Sequence, residues 1–313
     1  MEVFLQTVVN GLVNGSLLAL LTLAFGLVNG TTGRFHWAMA VSFMGAALVT
    51  ALLTVKAGVA FPIAALAGLI VAALLGMVIE AFAYRPVLAR ATGPAFMSIF
   101  LTSLGIVIIA ENATRVVFGS AGYFITGGFQ KIQSLGIHIG DISFAALDAV
   151  FALVAWGLIA IVWGALNFTS WGRSIRAVRA NPTMSRVVGI DPDGVYMWVF
   201  ILGSLLAGAA GIMTGIRQSV LADMGTAPMF YAFVAAFVAG SQSGPIRFAV
   251  AGLLVGLLAS VSTNWISIAW APAMVFAVLF LYIAIRALVG ARGGRATGRS
   301  AVRRPTRRVE REG

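Results

Sequence analysis

Few side chains in this 313-residue sequence have the types and spacing for chemistry. It holds two histidines, His36 and His138, two lysines, Lys56 and Lys131, and no cysteine. No H-E-x-x-H pair occurs, so a zincin-like protease would lack its ligands. The absence of cysteine excludes disulfides and thiolate metal sites. Gly240-Ser241-Gln242-Ser243-Gly244 departs from G-x-S-x-G, and a serine there would have to recruit a distant histidine. Neither lysine lies in a phosphate-loop motif, so the chain carries no P-loop ATPase of its own. His36 reads as a hydrogen-bonded polar side chain at a helix start rather than a ligand or base. No catalytic, cofactor-binding or metal-ligating residue is assigned.

Two carboxylates lie in apolar stretches, where a charge at membrane depth points to function by default. Glu111 stands four residues before Arg115, on the same helical face, and the pair neutralises itself. Glu80 is within reach of Arg85 near the end of its apolar run. Pairing is the preferred reading of both over a place on a solute path. A proton relay would need a chain of ionisable groups at depth, and none is present.

The elements that position these groups follow from composition. Of the residues, 60% are hydrophobic and 10% charged, with a mean hydropathy of +0.99. Soluble domains carry about a quarter charged residues, so the fold class is an all-α polytopic membrane protein. A bilayer core needs about 20 apolar residues per helix. Apolar runs occupy 4–28, 35–55, 60–84, 95–118, 144–166, 195–216, 246–262 and 266–286. A ninth, 229–240, is too short to cross as a straight helix. The prediction is about eight to nine transmembrane helices, the piece at 229–240 being short or broken. Residues 1–288 form the membrane domain, with the first run retained as an anchor rather than a signal peptide. The loop 119–143, rich in glycine, reads as an ordered cap holding a small hairpin.

From Arg286 onward nine arginines face Glu310 and Glu312, so this tail holds +7 of the +11 net charge. Residues 289–313 are expected to be a disordered cytoplasmic tail that fixes topology and attracts anionic lipid, in preference to binding nucleic acid. With the tail inside, seventeen basic residues lie inside and four outside. The inside set includes Arg34, Arg85, Arg90, Arg173, Arg176, Arg179, Arg186 and Arg247. The outside set is Lys56, Arg115, Lys131 and Arg217. The N-terminus is then outside, and 229–240 must cross in part as a half-helix ending at Gly240–Gly244.

Two segments resemble broken helices in opposite directions. One starts at Phe35-His36-Trp37 and continues through Ser42; the other starts at Met229-Phe230-Tyr231. Interrupted segments in inverted halves point to a transporter's substrate path. Chance similarity among apolar residues accounts for the match equally well. The candidate path residues are His36, Trp37, Ser42, Glu111, Tyr231, Gln242 and Ser243. The pairs Gly11-xxx-Gly15, Gly26-xxx-Gly30, Gly211-xxx-Gly215 and Gly252-xxx-Gly256 place small residues on one helix face, for close packing.

The most specific segment is Ser170–Asp191. Arg173, Arg176 and Arg179 recur every third residue; Asn181 can cap a second helix that opens with Pro182, and Gly189 can end it. This makes a basic, partly amphipathic helix–turn–helix at the cytoplasmic face. It suits either anionic lipid or a cytoplasmic partner.

Here the sequence resembles the permease subunits of bacterial ABC importers of the branched-chain amino acid (Liv) type. That family's loop reads roughly G-R-x-x-R-A-x-x-x-N-P-x-x-A-x-x-x-G-I-[ND]. Gly172, Arg173, Arg176, Ala177, Asn181, Pro182, Gly189, Ile190 and Asp191 match it, with Ser185 where alanine is usual. Asn10-Gly11, Gly15-Ser16, Ala19-Leu20 and Ala83-Tyr84-Arg85-Pro86-Val87 extend the likeness over nearly the whole membrane part. The resemblance implies a multi-pass protein of the bacterial inner membrane that joins a second permease subunit, like or unlike itself. Two cytoplasmic ATPase subunits would hold ATP and Mg and dock on the loop 167–194. An extracytoplasmic binding protein would deliver the solute. The family's Asn-Phe-Ala-His-Gly and Gly-Gly-x-Gly-Ser elements are replaced here by Arg34–Met39 and Ala239–Pro245. The solute is therefore left open between an amino acid, an amide or urea, and a carboxylate. The competing class is an ion-coupled secondary transporter or channel working without an ATPase.

Overall fold

A computed structural model describes residues 2–91, 93–125, 136–139, 142–240, 243–263, 265, 270, 273–277, 280–281 and 284. Most of the expected span 266–286 and the whole tail 289–313 lie outside the described residues, as do Lys131 and Gln242. The helices are α1 (Glu2–Thr32), α2 (Met39–Val55), α3 (Phe61–Val78), α4 (Arg85–Arg90), α5 (Ala95–Phe118) and α6 (Ala146–Phe168). There follow α7 (Ser170–Ala180), α8 (Pro182–Val187), α9 (Pro192–Arg217), α10 (Thr226–Ala239) and α11 (Pro245–Ser262). A hairpin of β1 (Gly136–Ile139) and β2 (Ile142–Ala145) pairs Gly136 with Ala145 and Ile139 with Ile142, within the expected cap. The chain is an all-α polytopic membrane protein apart from that hairpin. Six helical stretches among the described residues are long and apolar enough to cross a bilayer: Gln6–Thr32, Phe61–Arg90, Ala95–Phe118, Ala146–Phe168, Pro192–Arg217 and Pro245–Ser262.

α1 is the central helix. Residues 15–28 are buried without interruption, because α1 packs on α11, α9, α10 and α6. The small-residue pairs bring α1 and α11 together as their spacing predicts. A Cβ on Gly15 would lie 2.7 Å from the Leu253 carbonyl oxygen, and one on Gly256 would lie 2.5 Å from the Gly15 Cα. Backbones approach this closely only where side chains are absent.

The helix through α3 does not end at residue 84 as expected. It widens into a π-helical segment, Ile79–Tyr84, and continues as α4 to Arg90. Pro86 explains the widening: its ring clashes with the carbonyl four residues back in a regular α-helix, and a π turn makes room.

Two apolar helices are short. α2 has 17 residues and α10 has 14, about 26 and 21 Å against a bilayer core of about 30 Å. Residues 33–38 are unwound before α2, and residues 218–225 loop inward before α10. The two starts meet in the interior, where a Cβ on Gly225 would sit 2.5 Å from the Ala40 carbonyl oxygen. From that point α2 runs toward Lys56 and α10 toward Ser243. Trp37 packs edge-on to Phe230 (4.4 Å between centroids) and Phe35 to Phe233 (5.1 Å). Gly225→Ala is expected to destabilise the folded protein by about 1–3 kcal/mol, since neither backbone can retreat. Thermal unfolding in detergent measures this, and a wild-type midpoint would contradict the close approach.

Candidate functional site

The basic residues sort to the two ends of the bundle as the charge count predicts. Arg34, Arg85, Arg179 and Arg186 share one end through contacts with Glu80, Asp193 and Ser243. Lys56, Arg115 and Arg217 share the other, where Lys56 lies 5.5 Å over the Tyr123 ring and Tyr123 bridges Val220.

At the first end stands the helix–turn–helix. Its caps are local. The Thr169 hydroxyl accepts from Gly172 N–H (3.2 Å), and the Asn181 side chain accepts from Met184 N–H (3.0 Å). The Asp191 carboxylate accepts from Asp193 and Gly194 N–H (3.1 and 2.9 Å). Pro182 opens α8, and Gly189 ends it at φ +83°, a left-handed value suited to glycine. Gly172 is buried so tightly that a Cβ would overlap the Leu166 backbone. Ala177 is half-buried beside it, and Ile190 packs against the core.

The three regularly spaced arginines do not share one role. Arg173 is exposed. Arg176 donates from Nη1 to the Leu166 carbonyl, tying α7 back onto α6. Arg179 donates from both Nη1 and Nη2 to the Ser243 carbonyl, each at 3.1 Å. Burial lowers its pKa from the ordinary value, yet a guanidinium keeps its charge at neutral pH. Beside the exposed Arg173, Arg176 and Arg186, an apolar group also projects outward. Met184, Val187 and Val188 are 62, 78 and 73% exposed. The arginine spacing does not point to these three residues; the signal that does is an apolar triplet on and just after a six-residue helix outside every span.

Two cavities flank α1. The first, about 420 Å³, lies toward the Lys56 end between α1, α9, α10 and α11. Thr7, Asn10, Asn14, Thr214, Arg217, Gln218, Tyr231 and Ser260 give it polar groups; Leu17, Leu18, Leu21 and Phe43 give it an apolar wall. Arg217 Nε pairs with Asp148 at 2.8 Å and also donates to the Asn14 side chain. The second, about 340 Å³, lies toward the opposite end, bounded by Leu23, Leu27, Asn167, Arg176, Arg179, Ser243 and Phe248.

Of the path residues read from the sequence, Tyr231 lines the first cavity and Ser243 the second. Trp37 sits where the two short helices meet. His36 lines neither cavity; it is fully buried, with Nδ1 2.9 Å from the Tyr84 hydroxyl and its ring against Phe200. Ser42 is likewise fully buried away from both. Glu111 accepts from the Thr226 hydroxyl and faces Arg115 at 4.0 Å, while Arg115 pairs with Asp223 at 3.0 Å. Its role in the structure is to hold the inward loop before α10. Glu80, read as paired with Arg85, is fully buried and also paired with Arg34. Arg217 and Asp148 escaped notice because they are 69 residues apart and look like ordinary loop-end charges. No group of three or more metal-ligating side chains occurs among the described residues.

The permease-component model of branched-chain amino acid transport systems matches residues 7–284. The chain is 26% identical to the high-affinity branched-chain amino acid transport system permease protein LivH of Salmonella typhimurium, over 90% of this chain and 93% of that one. It is 25% identical to BraD of Pseudomonas aeruginosa, a permease protein of the same description, over 90% of this chain and 94% of that one. A shorter likeness, 29% over 47% of each chain, links it to the L-arabinose transport system permease protein AraH of Escherichia coli. The chain belongs to the family of branched-chain amino acid transport system permease components.

Proposed function

We propose that this chain is the transmembrane subunit of an ATP-driven importer for a small polar solute, coupled through α7–α8 to cytoplasmic ATPase subunits. The observation that carries the proposal is the exposed Met184 and Val187 of α8 with Val188 just after it, on a capped helix pair outside the spanning helices. Such an apolar patch at the end of a membrane bundle fits a protein partner. ATP and Mg belong to that partner. The end bearing α7–α8 is cytoplasmic by the excess of arginine there, so the N-terminus faces outward. The pore pairs this chain with a second permease subunit, and an extracytoplasmic binding protein delivers the solute. The names of the relatives favour a branched-chain amino acid, and the apolar wall and single guanidinium of the first cavity support that choice.

An ion-coupled transporter is the weaker reading, because Glu80 and Glu111 are both engaged in pairs. The test is uptake into vesicles containing this chain, with and without ATPase subunits and ATP. Uptake is expected only with both. Uptake by the permease chains alone would sink the importer reading.

A further inference from the structure

We infer that two arginine-built routes, one direct and one a relay of ion pairs, link the α7–α8 loop to both interrupted helices, with Arg179 and Glu80 as the positioning residues of that linkage. This rests on the importer reading and adds the route by which ATPase movement reaches the interior.

The first arm is short. The Arg179 guanidinium grips the Ser243 carbonyl with two donors, at 3.1 Å each. Ser243 lies in the turn that closes α10: its N–H donates to the Gly240 carbonyl at 3.0 Å, and Gly240 has φ +92°. Two donors on one oxygen hold the guanidinium on that carbonyl more firmly than a single donor would. α7 in turn is joined to α6 by Arg176 and by the contact of Gly172 with Leu166. Movement of α7 therefore reaches the end of α10 through a single side chain.

The second arm is a relay of charges. Arg186 of α8 pairs with the Asp193 carboxylate at 3.0 Å, and the main-chain carbonyl of Asp193 accepts from Arg85 Nη2 at 2.8 Å. Arg85 Nε reaches Glu80 Oε1 at 3.3 Å, and Arg34 Nη1 binds the same oxygen. Arg34 opens the unwound segment 33–38 that leads into α2, and its guanidinium lies 5.1 Å over the Tyr196 ring of α9. Glu80 has no exposed surface and stands in the π-helical segment, an irregularity that recurs at functional sites.

The arms thus end on α10 and on the entry to α2, the two helices whose starts meet at Gly225 and Ala40. Contacts of this kind are either made or broken, so a small shift of the loop selects between discrete arrangements rather than bending one. A route of contacts is not by itself coupling, which must be measured.

The measurement is solute taken up per ATP hydrolysed, in vesicles holding the full chain with its ATPase subunits and binding protein. Arg179→Ala, Arg179→Lys and Glu80→Gln are each expected to keep ATPase association and basal hydrolysis and to lower solute per ATP by about tenfold, a usual size for coupling between sites. The lysine keeps the charge but loses the two-donor grip, so it should not rescue. Where Glu80→Gln fails to insert, the exposed Arg186–Asp193 pair decides. Arg186→Glu should uncouple, and the swapped double variant Arg186→Glu, Asp193→Arg should restore the ratio. If every variant lowers uptake and hydrolysis in equal proportion, these residues only support the fold and the linkage is overturned. A wild-type chain that binds no ATPase would overturn the importer reading itself, and the wild-type control reveals that before any variant is scored.

Discussion

Replacing Val187 and Val188 with glutamate is expected to abolish ATP-driven uptake while leaving the chain inserted and folded. Both side chains are exposed, so the substitutions strain nothing in the isolated permease. In the proposed complex with an ATPase subunit the balance reverses. Each buried valine contributes about 1.5 kcal/mol or more. A carboxylate forced into an apolar contact adds a desolvation penalty of several kcal/mol. The sum corresponds to a weakening of ATPase association by about a hundredfold or more. Co-purification measures association and vesicle uptake measures function. Full association of the double variant would move the docking surface elsewhere.

The second large effect belongs to Arg217. It is 21% exposed at its side chain and its partner Asp148 is 16% exposed, so the pair is mostly buried, with Arg217 in the wall of the first cavity. Arg217→Ala leaves Asp148 without its cation, and breaking a buried pair costs about 3 kcal/mol. A loss of folded protein is therefore expected from the single variant. The double variant Arg217→Ala, Asp148→Ala removes both charges and should recover most of that stability. If Arg217 also receives a solute carboxylate, the double variant still transports poorly, with an apparent KM raised about tenfold, the equivalent of about 1.4 kcal/mol. Wild-type KM in the double variant would reduce the guanidinium to a structural partner of Asp148.

The contrast between α8 and the cavities shows where sequence reasoning succeeds. The cap at Asn181, the start at Pro182 and the stop at Gly189 are satisfied within three or four residues, so the motif alone predicts them. The packing of Gly15 against Gly256 was legible for a similar reason, since small residues at i and i+4 expose backbone on one face whatever the partner. Arg173, Arg176 and Arg179 were a different matter. Their spacing makes them look equivalent, yet Arg173 and Arg176 are exposed and Arg179 half-buried, and Arg176 and Arg179 bind carbonyls 10 and 64 residues away in sequence. His36 and Ser42, both candidate path residues, are fully buried and line neither cavity, because which way a side chain faces is not set by its sequence neighbours.

The sequence by itself determined the class, the approximate spans, the sorting of basic residues to opposite ends and the local shape of the α7–α8 loop. Those properties depend on composition and short spacing, which the solvent and the backbone enforce directly. Only the tertiary structure decided that α2 and α10 begin against each other, that Glu80 is shared by Arg34 and Arg85, and which polar groups surround a cavity. Each of these depends on contacts between residues dozens of positions apart. In an apolar helix many faces are equally hydrophobic, so periodicity cannot say which one turns inward; packing against the neighbouring helices does.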